Sequence, residues 1–236
     1  MSGCLYGVGV GPGDPDLITL KAIKILGSVV VILAAASTKN EDSLALDIAR
    51  PHLRHNARIV RLGFPMCRDA HTLQTAWIRN AELVLAELRK GHDAAFLTLG
   101  DPLLYSTFAY LLRTLRGLDP DLLACVIPGI TSFQAAAAAT ETVLAEGAEN
   151  LVILPGIREP AELRHNLAQA DNAVILKTYT NFAAIREELR NFPLQTHCVF
   201  ASRVGMKEEL ITRSLAEAPD NPTYLSLMLM TKRKPR

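Results

Sequence analysis

Closely spaced cysteines are missing from this sequence. It has four cysteines in 236 residues, and no two of them form a CxxC pair. They are Cys4, Cys67, Cys125 and Cys198. Zinc knuckles and disulfide-stapled small domains need cysteines at short, regular spacings, so both classes are excluded. The residues around these cysteines are mostly apolar or strand-forming, and we therefore expect free, buried thiols. His52 and His55 have no third ligand nearby, so we expect no metal site.

Long apolar runs and an excess of charge of one sign are missing as well. The run from Val29 to Ala36 is far shorter than the roughly 20 apolar residues that a membrane-spanning helix needs. The first residues show no positively charged segment ahead of an apolar one, so we expect no secretory signal and a cytoplasmic protein. The formal net charge is +1, which does not favour nucleic-acid binding. We therefore expect neither a membrane nor a nucleic acid as a partner.

What is present is a regular alternation of short apolar runs and helical segments. With 49% hydrophobic and 21% charged residues, the composition is that of a globular protein. The predicted strands are residues 5–10, 28–33, 58–62, 93–99, 122–127, 151–154, 173–177, 196–201 and 224–230. The predicted helices are residues 20–26, 43–54, 73–90, 106–116, a stretch through 135–139, 161–170 and 181–191. This alternation predicts an α/β fold with mainly parallel sheets.

Turn-forming residues divide the alternation into two series. Gly117, Asp119 and Pro120 interrupt it, and a second series of strands and helices follows them. We therefore predict two domains, residues 1–117 and 118–236.

Three glycine-containing segments follow predicted strands. Residues 7–15 have the sequence GVGVGPGDP, residues 99–105 LGDPLLY and residues 127–132 IPGITS. The first is not a dinucleotide-binding fingerprint, because its glycines recur at every second residue and two prolines separate them from the next helix. Taken alone, each segment is typical of a turn, and Thr131 and Ser132 are typical of a helix N-cap. In open α/β sheets, however, ligands bind at the carboxyl ends of strands, where all three segments lie.

Together the three segments resemble the tetrapyrrole methylase family, and the resemblance extends over nearly the whole chain. Six further segments resemble the subgroup that methylates carbon C20 of precorrin-2 or of its cobalt form. They are Asp16–Ala22, Asp42–Ala45, Phe64–Met66, Tyr105–Phe108, Ala173–Lys177 and Pro222–Ser226. The resemblance implies an S-adenosylmethionine-dependent methyltransferase of cobalamin and porphyrin-type tetrapyrrole biosynthesis.

The resemblance also implies the fold and the cofactor contacts. Members of the family have two α/β domains with mixed, mainly parallel sheets and an interdomain cleft that holds S-adenosylmethionine, and they commonly form homodimers. By this resemblance the cofactor-binding residues are Pro12, Leu99, Gly100, Asp101, Leu104, Ser106, Thr107, Thr131, Ser132, Leu176, Lys177, Val204 and Gly205. The turn at Arg203–Gly205 departs from the commoner family pattern.

The implied reaction demands alignment of the reactants more than strong acid or base chemistry. The sulfonium makes the methyl group electrophilic, and an electron-rich carbon of the macrocycle attacks it, so the protein must align the two and exclude water. A proton then leaves C20, and the candidates for a general base are Asp101, Tyr105 and Tyr224. Arginine is the natural partner of the macrocycle's carboxylates. The arginines available for this are Arg50, Arg54, Arg68, Arg79, Arg113, Arg158 and Arg203.

Three alternatives stay open at this point. The first is another tetrapyrrole methylase, acting on uroporphyrinogen-III or at C11 or C17. The second resembles the diphthine synthases, which keep the fold and methylate a protein. The third is a non-catalytic nucleotide-binding domain that retains only the scaffold.

Overall fold

Five parallel strands form the sheet of the N-terminal part of the chain. The computed structural model describes residues 2–36, 43–65, 67, 69–190 and 197–231, and the chain divides into two units, Met1–Thr131 and Ser132–Arg236. The strands of the first unit are β1 (Leu5–Gly9), β2 (Val31–Ala36), β3 (Arg58–Gly63), β4 (Ala94–Thr98) and β5 (Ala124–Ile127). Their order across the sheet is β3-β2-β4-β1-β5, and every neighbouring pair is parallel. The parallel sheet predicted for the first half is confirmed.

Helices cover both faces of this sheet. On one face pack α1 (Leu20–Leu26) and α2 (Leu44–Ala49), and on the other pack α3 (Ala70–Arg89) and α4 (Thr107–Leu118). All five residues of the central strand β4 are buried. Burial on both faces explains why its sequence is continuously apolar instead of alternating.

Local sequence sets where the helices begin and end. The Oγ1 atom of Thr19 caps α1 by accepting a hydrogen bond from the Ala22 N–H at 3.2 Å. The helix predicted over 43–54 is shorter, because Pro51 has no N–H to donate: α2 ends at Ala49 and a 3-10 turn covers Arg50–His52. Among the helices that the structure describes, none is long and apolar enough to cross a membrane.

The C-terminal unit contains a mixed sheet. Its strands are β6 (Leu151–Leu154), β7 (Asn172–Leu176), β8 (Cys198–Ser202), β9 (Leu210–Thr212) and β10 (Ser226–Thr231). The order is β6-β7-β10-β8-β9; β6 and β7 are parallel, and the other neighbouring pairs are antiparallel. The helices of this unit are α5 (Ser132–Ala139), α6 (Pro160–Ala168) and α7 (Phe182–Arg190). The sequence did not predict β9, which has only three residues.

The first unit extends beyond the predicted domain boundary because it includes β5. Its residues Ala124–Ile127 pair with Leu5–Val8 of β1, so this strand completes the first sheet. The turn residues 117–120 therefore connect α4 to β5 within the first unit, and the units divide after Thr131 instead of after Gly117. Some residues named in the sequence predictions lie outside the described residues. They are Asp42, Met66, Arg68, Asn191 and Thr196.

Candidate functional site

The three glycine-containing segments come together at one edge of the first sheet. They follow β1, β4 and β5, which are neighbours in the order β4-β1-β5. Because parallel strands present their carboxyl ends at the same edge, the loops after these strands lie side by side. We call this edge, with residues 10–19, 99–106 and 128–131, the carboxyl edge.

Glycine allows the three loops to touch through their backbones. A Cβ atom on Gly9 would lie 2.5 Å from the carbonyl oxygen of Gly100 and 2.6 Å from the nitrogen of Gly129, closer than side-chain atoms can approach. The Gly100 N–H donates a hydrogen bond to the carbonyl of Gly11 at 2.7 Å. Gly100 also has a φ of 70°, in the left-handed region that favours glycine. One glycine of each motif, Gly9, Gly100 and Gly129, thus takes part in this close backbone packing.

Asp101 ties two of these loops together. Its Oδ1 atom accepts a hydrogen bond from the Leu103 N–H at 2.8 Å, and its Oδ2 atom accepts one from the Gly129 N–H at 3.1 Å. A carboxylate that accepts backbone N–H groups on both oxygens is well suited to hold a loop in place. The structure therefore gives Asp101 a positioning role, and its predicted catalytic role stays a prediction.

The end of the second loop is a helix cap. The Oγ atom of Ser106 accepts a hydrogen bond from the Phe108 N–H at 3.1 Å and lies 3.3 Å from the Oγ1 atom of Thr98. Thr107 is the first residue of α4. Tyr105, just before the cap, has a φ of 49° and an exposed side chain, an uncommon backbone conformation for a bulky residue. Such strain is often found at functional sites.

A second group of predicted site residues lies at one edge of the mixed sheet. The pairing of Leu227 with Leu176 and of Ser226 with Ser202 brings the carboxyl ends of β7 and β8 beside the start of β10. The residues that follow these strand ends, Lys177 and Arg203, both have a φ of 54°. Leu176 and Lys177 therefore lie at the same edge as the turn at 203–205.

Hydrogen bonds and ring contacts organise this second edge. The Thr178 hydroxyl donates to the Ser226 hydroxyl at 2.8 Å, and the Gly205 N–H donates to the Glu209 carboxylate at 2.6 Å. The rings of Tyr224 and Tyr179 are 5.2 Å apart. Desolvation, with a smaller contribution from Tyr179, raises the pKa of the Tyr224 phenol. The phenol is therefore protonated at neutral pH, which makes Tyr224 a weak base there.

A groove beside the carboxyl ends of β2 and β3 was not predicted from the sequence. It has a volume of about 590 Å³ and lies beside Ala36 and Gly63, the last residues of β2 and β3. Its charged and titratable lining residues are Arg61 on β3 and His71 and Arg79 on α3. We call it the arginine groove. Only Arg79 was among the arginines considered from the sequence, because the placement of α3 beside the end of β3 is a tertiary feature.

The described residues contain no group of three or more His, Cys, Asp or Glu side chains that could hold a metal ion. The predicted site residues within each unit are backbone loops, hydroxyls and tyrosines, and the arginine groove belongs to the first unit. This donor set suits the binding and alignment of organic molecules.

Comparison with known proteins agrees with this architecture. The sequence profile of the Tetrapyrrole (Corrin/Porphyrin) Methylases matches residues 4–220. The cobalt-precorrin-2 C(20)-methyltransferase of Salmonella typhimurium (strain LT2) is 36% identical over 234 residues, which cover 98% of each chain. The precorrin-2 C(20)-methyltransferase of Sinorhizobium sp. is 32% identical over 241 residues, which cover 99% of this chain and 97% of the relative.

A solved structure has the same fold. It is the uroporphyrin-III C-methyl transferase of Thermus thermophilus complexed with S-adenosylhomocysteine, which superimposes with a TM-score of 0.68 at 23% identity and 98% coverage of both chains. The predicted α/β fold with mixed, mainly parallel sheets is thereby confirmed; the sheet of one unit is parallel and that of the other is mixed. Sequence profile, full-length relatives and fold agree, and the chain belongs to the tetrapyrrole (corrin/porphyrin) methylase family.

Proposed function

We propose that this protein transfers a methyl group from S-adenosylmethionine to C20 of precorrin-2 or cobalt-precorrin-2, a step of cobalamin biosynthesis. The observation that carries the proposal is the similarity to two C20-methyltransferases over 98% and 99% of this chain. One of these relatives is named for the cobalt form of the substrate and the other for the cobalt-free form. The two forms are therefore both candidates, and the experiment below separates them.

The carboxyl edge fits S-adenosylmethionine as the cofactor. Backbone groups of three loops meet there, and the large apolar side chains of Leu103 and Tyr105 are 59% and 47% exposed beside them. An adenosyl group has apolar faces and polar edges, so it suits a surface that offers apolar side chains next to backbone donors and acceptors. A solved structure of the same fold is complexed with S-adenosylhomocysteine.

The chain's own residues would position the cofactor. When bound, S-adenosylmethionine supplies an electrophilic methyl group on its sulfonium. Leu99, Gly100 and Leu104 would hold it at the end of β4, with Pro12 beside them on the first loop. Asp101 holds the loop after β4 against the loop after β5 through its two hydrogen bonds. Fixed loops contribute to the rate by holding reactants in a reactive geometry and by excluding water.

The remaining predicted cofactor contacts are part of the same proposal. Ser106 caps α4 through its hydroxyl, so its contribution is the placement of the loop that precedes the helix. Thr107, Thr131 and Ser132 lie at or just before helix starts. In the C-terminal unit the proposed contacts are Leu176, Lys177, Val204 and Gly205.

The candidates for removing the proton from C20 are two tyrosines and Asp101. Tyr105 lies on the strained segment of the carboxyl edge, and Tyr224 lies beside Tyr179 at the edge of the mixed sheet. The raised pKa of the Tyr224 phenol makes it a weak base at neutral pH, and both oxygens of Asp101 already accept backbone hydrogen bonds. The proposal also includes a cytoplasmic location and a homodimer. The homodimer rests on the family resemblance, and light scattering of the purified protein tests it.

The direct test is a methylation assay. Purified protein is incubated with S-adenosylmethionine and freshly prepared precorrin-2, with and without inserted cobalt, and the product is analysed by mass spectrometry and NMR. One added methyl group at C20 supports the proposal, and the preferred form of the substrate identifies the natural one. A methyl group at C11 or C17, or transfer only to uroporphyrinogen-III, would replace the C20 assignment. Methylation of a protein alone would favour a diphthine synthase-like role.

A further inference from the structure

We propose that the arginine groove binds peripheral carboxylates of the tetrapyrrole substrate through Arg61 and Arg79; this inference rests on the proposed function. The groove has a volume of about 590 Å³, within the range of small-molecule sites. Among the residues that the structure describes, its lining contains two arginines and one histidine and no Asp or Glu. The charges of the described lining therefore favour an anionic ligand.

Neither arginine has an acidic partner among the described residues, whereas several other arginines do. Arg58 is paired with Glu87, Arg164 with Glu188 and Arg186 with Asp220. For Arg61 and Arg79 the structure shows no such pair within residues 2–36, 43–65, 67, 69–190 and 197–231. A guanidinium that is not neutralised by its own chain is available for a carboxylate of a ligand, which it can bind through two parallel hydrogen bonds.

The rest of the lining is apolar or carries hydroxyl groups. Phe64 and Pro65 follow β3, Leu83 is 44% exposed on α3, and Thr72 and Thr75 add hydroxyls. This combination matches a flat apolar macrocycle with carboxylates at its rim better than it matches a small inorganic anion. A small anion would need the arginines but would leave the apolar surface uncovered.

The groove is held in shape by buried contacts. The Phe64 ring lies 4.8 Å from Trp77 and 6.3 Å from Phe96, measured between ring centroids. The buried Asn80 side chain donates a hydrogen bond to the Gly63 carbonyl at 2.8 Å, which fixes α3 to the end of β3. Arg79 is the neighbour of Asn80, so the backbone that carries it is fixed as well. A preformed site loses less entropy when it binds its ligand.

The position of the groove relates it to the cofactor loops. In the strand order β3-β2-β4, the groove lies at the ends of β3 and β2, and the Leu99–Ser106 loop follows β4 at the same edge. Adjacent strands are about 4.8 Å apart, so β3 and β4 are separated by about 10 Å. A tetrapyrrole with its side chains is wide enough to span that distance, with its ring at the loops and its rim carboxylates at the groove.

The test measures binding of a stable probe separately from methyl transfer. The probe is uroporphyrin, an octacarboxylate porphyrin, and its methyl ester lacks the negative charges. The variants are Arg61→Ala, Arg79→Ala, the double variant and Arg79→Lys, and Arg89→Ala is the control, an exposed arginine in the last turn of the same helix. Fluorescence titration gives the Kd for uroporphyrin, and calorimetry gives the Kd for S-adenosylhomocysteine.

We expect each alanine substitution to raise the uroporphyrin Kd roughly tenfold, because each removes a charge-assisted pair. Arg79→Lys should give a smaller loss, since lysine keeps the charge without the planar fork. The Kd for the ester, the Kd for S-adenosylhomocysteine and the far-UV circular dichroism spectrum should stay unchanged. In the methylation assay the KM for the tetrapyrrole should rise more than kcat falls.

Two results would overturn the inference: an unchanged uroporphyrin Kd in the double variant, or an equal loss in Arg89→Ala. The proposed function can fail independently. If wild-type protein methylates precorrin-2 but the double variant binds the porphyrin normally, the groove assignment is wrong and the function stands. If binding depends on both arginines but no methyl group is transferred to precorrin-2, the groove assignment stands and the C20 function is wrong.

Discussion

The Oδ2 atom of Asp101 accepts a hydrogen bond from the backbone N–H of Gly129, 28 residues further along the chain, at 3.1 Å. The same carboxylate accepts the Leu103 N–H through Oδ1. One side chain thus joins the loop after β4 to the loop after β5. The placement of these two proposed cofactor-binding loops therefore depends on the Asp101 carboxylate.

Substituting Asp101→Asn is expected to weaken cofactor binding more than it slows the chemical step. The amide nitrogen cannot accept a hydrogen bond, so one of the two N–H groups loses its partner, at a cost of about 1–3 kcal/mol. We expect the Kd for S-adenosylhomocysteine, measured by calorimetry, to rise roughly tenfold. Asp93→Asn is the matched control, because Asp93 accepts the Cys4 N–H at 2.7 Å at the opposite, amino edge of the same sheet. A large fall in kcat with unchanged cofactor Kd and loss of the acidic limb of the pH profile would instead identify Asp101 as a general base.

The substitution Gly9→Ala is expected to destabilise the first unit. The new Cβ atom would lie 2.5 Å from the Gly100 carbonyl oxygen and 2.6 Å from the Gly129 nitrogen, and both are backbone atoms that cannot rotate away. Overpacking of this kind costs about 1–3 kcal/mol. Gly117→Ala provides the comparison, because no atom lies within 4 Å of its added Cβ and the residue is part of α4. Urea unfolding should show a loss for Gly9→Ala and no loss for Gly117→Ala; equal stability of the two variants contradicts the packing argument.

A charged cluster at the amino edge of the first sheet predicts a pH dependence of stability. Hydrogen bonds from Lys90, then from His92 and Arg58, outweigh desolvation and lower the pKa of Glu87 from 4.5 to about 2. A carboxyl whose pKa is lower in the folded state stabilises the fold above its ordinary pKa, and this stabilisation is lost as the pH falls from about 4.5 towards 2.

The effect of Glu87 is moderated by solvent, since the side chains of Arg58 and Lys90 are 51% and 58% exposed. We expect Glu87→Gln to lose about 1 kcal/mol of unfolding free energy at pH 6, and this difference from wild type should shrink at pH 3. Glu82→Gln, an exposed glutamate on the same helix, serves as the control. A difference between Glu87→Gln and wild type that is independent of pH would rule out the ion-pair explanation. Urea titrations of wild type and both variants at the two pH values measure these differences in unfolding free energy.

The cysteines should differ sharply in their reaction with thiol reagents. Cys198 is buried, and desolvation raises the pKa of its thiol to about 12, so little thiolate forms. Cys67 is exposed, which contradicts the expectation that all the thiols are buried. An aromatic disulfide reagent should label Cys67 rapidly in the native protein and Cys198 only after unfolding. Mass spectrometry of the labelled peptides, with Cys67→Ser as a control, checks both statements; rapid native labelling of Cys198 would contradict its burial.

Local signals in the sequence were sufficient for most elements of the fold. Thr19 caps α1 as its residue type predicts, and Pro51 ends α2 because it lacks an N–H. Such signals act over a few residues, so they can be recognised without knowing the tertiary structure. The three-residue strand β9 has no comparable signal, and the turn at 117–120 could not reveal that β5 returns to the first sheet.

The sequence by itself determined the alternation of strands and helices, the three glycine-containing loops and the family. Only the tertiary structure decided which of these parts meet. The order β3-β2-β4-β1-β5 brings the three loops together, turns Asp101 into a link between two of them, and places Arg79 of α3 in one groove with Arg61 of β3. Helix caps and hydrophobic periodicity are local, whereas strand order and helix packing depend on burial and pairing between residues that are far apart in the chain.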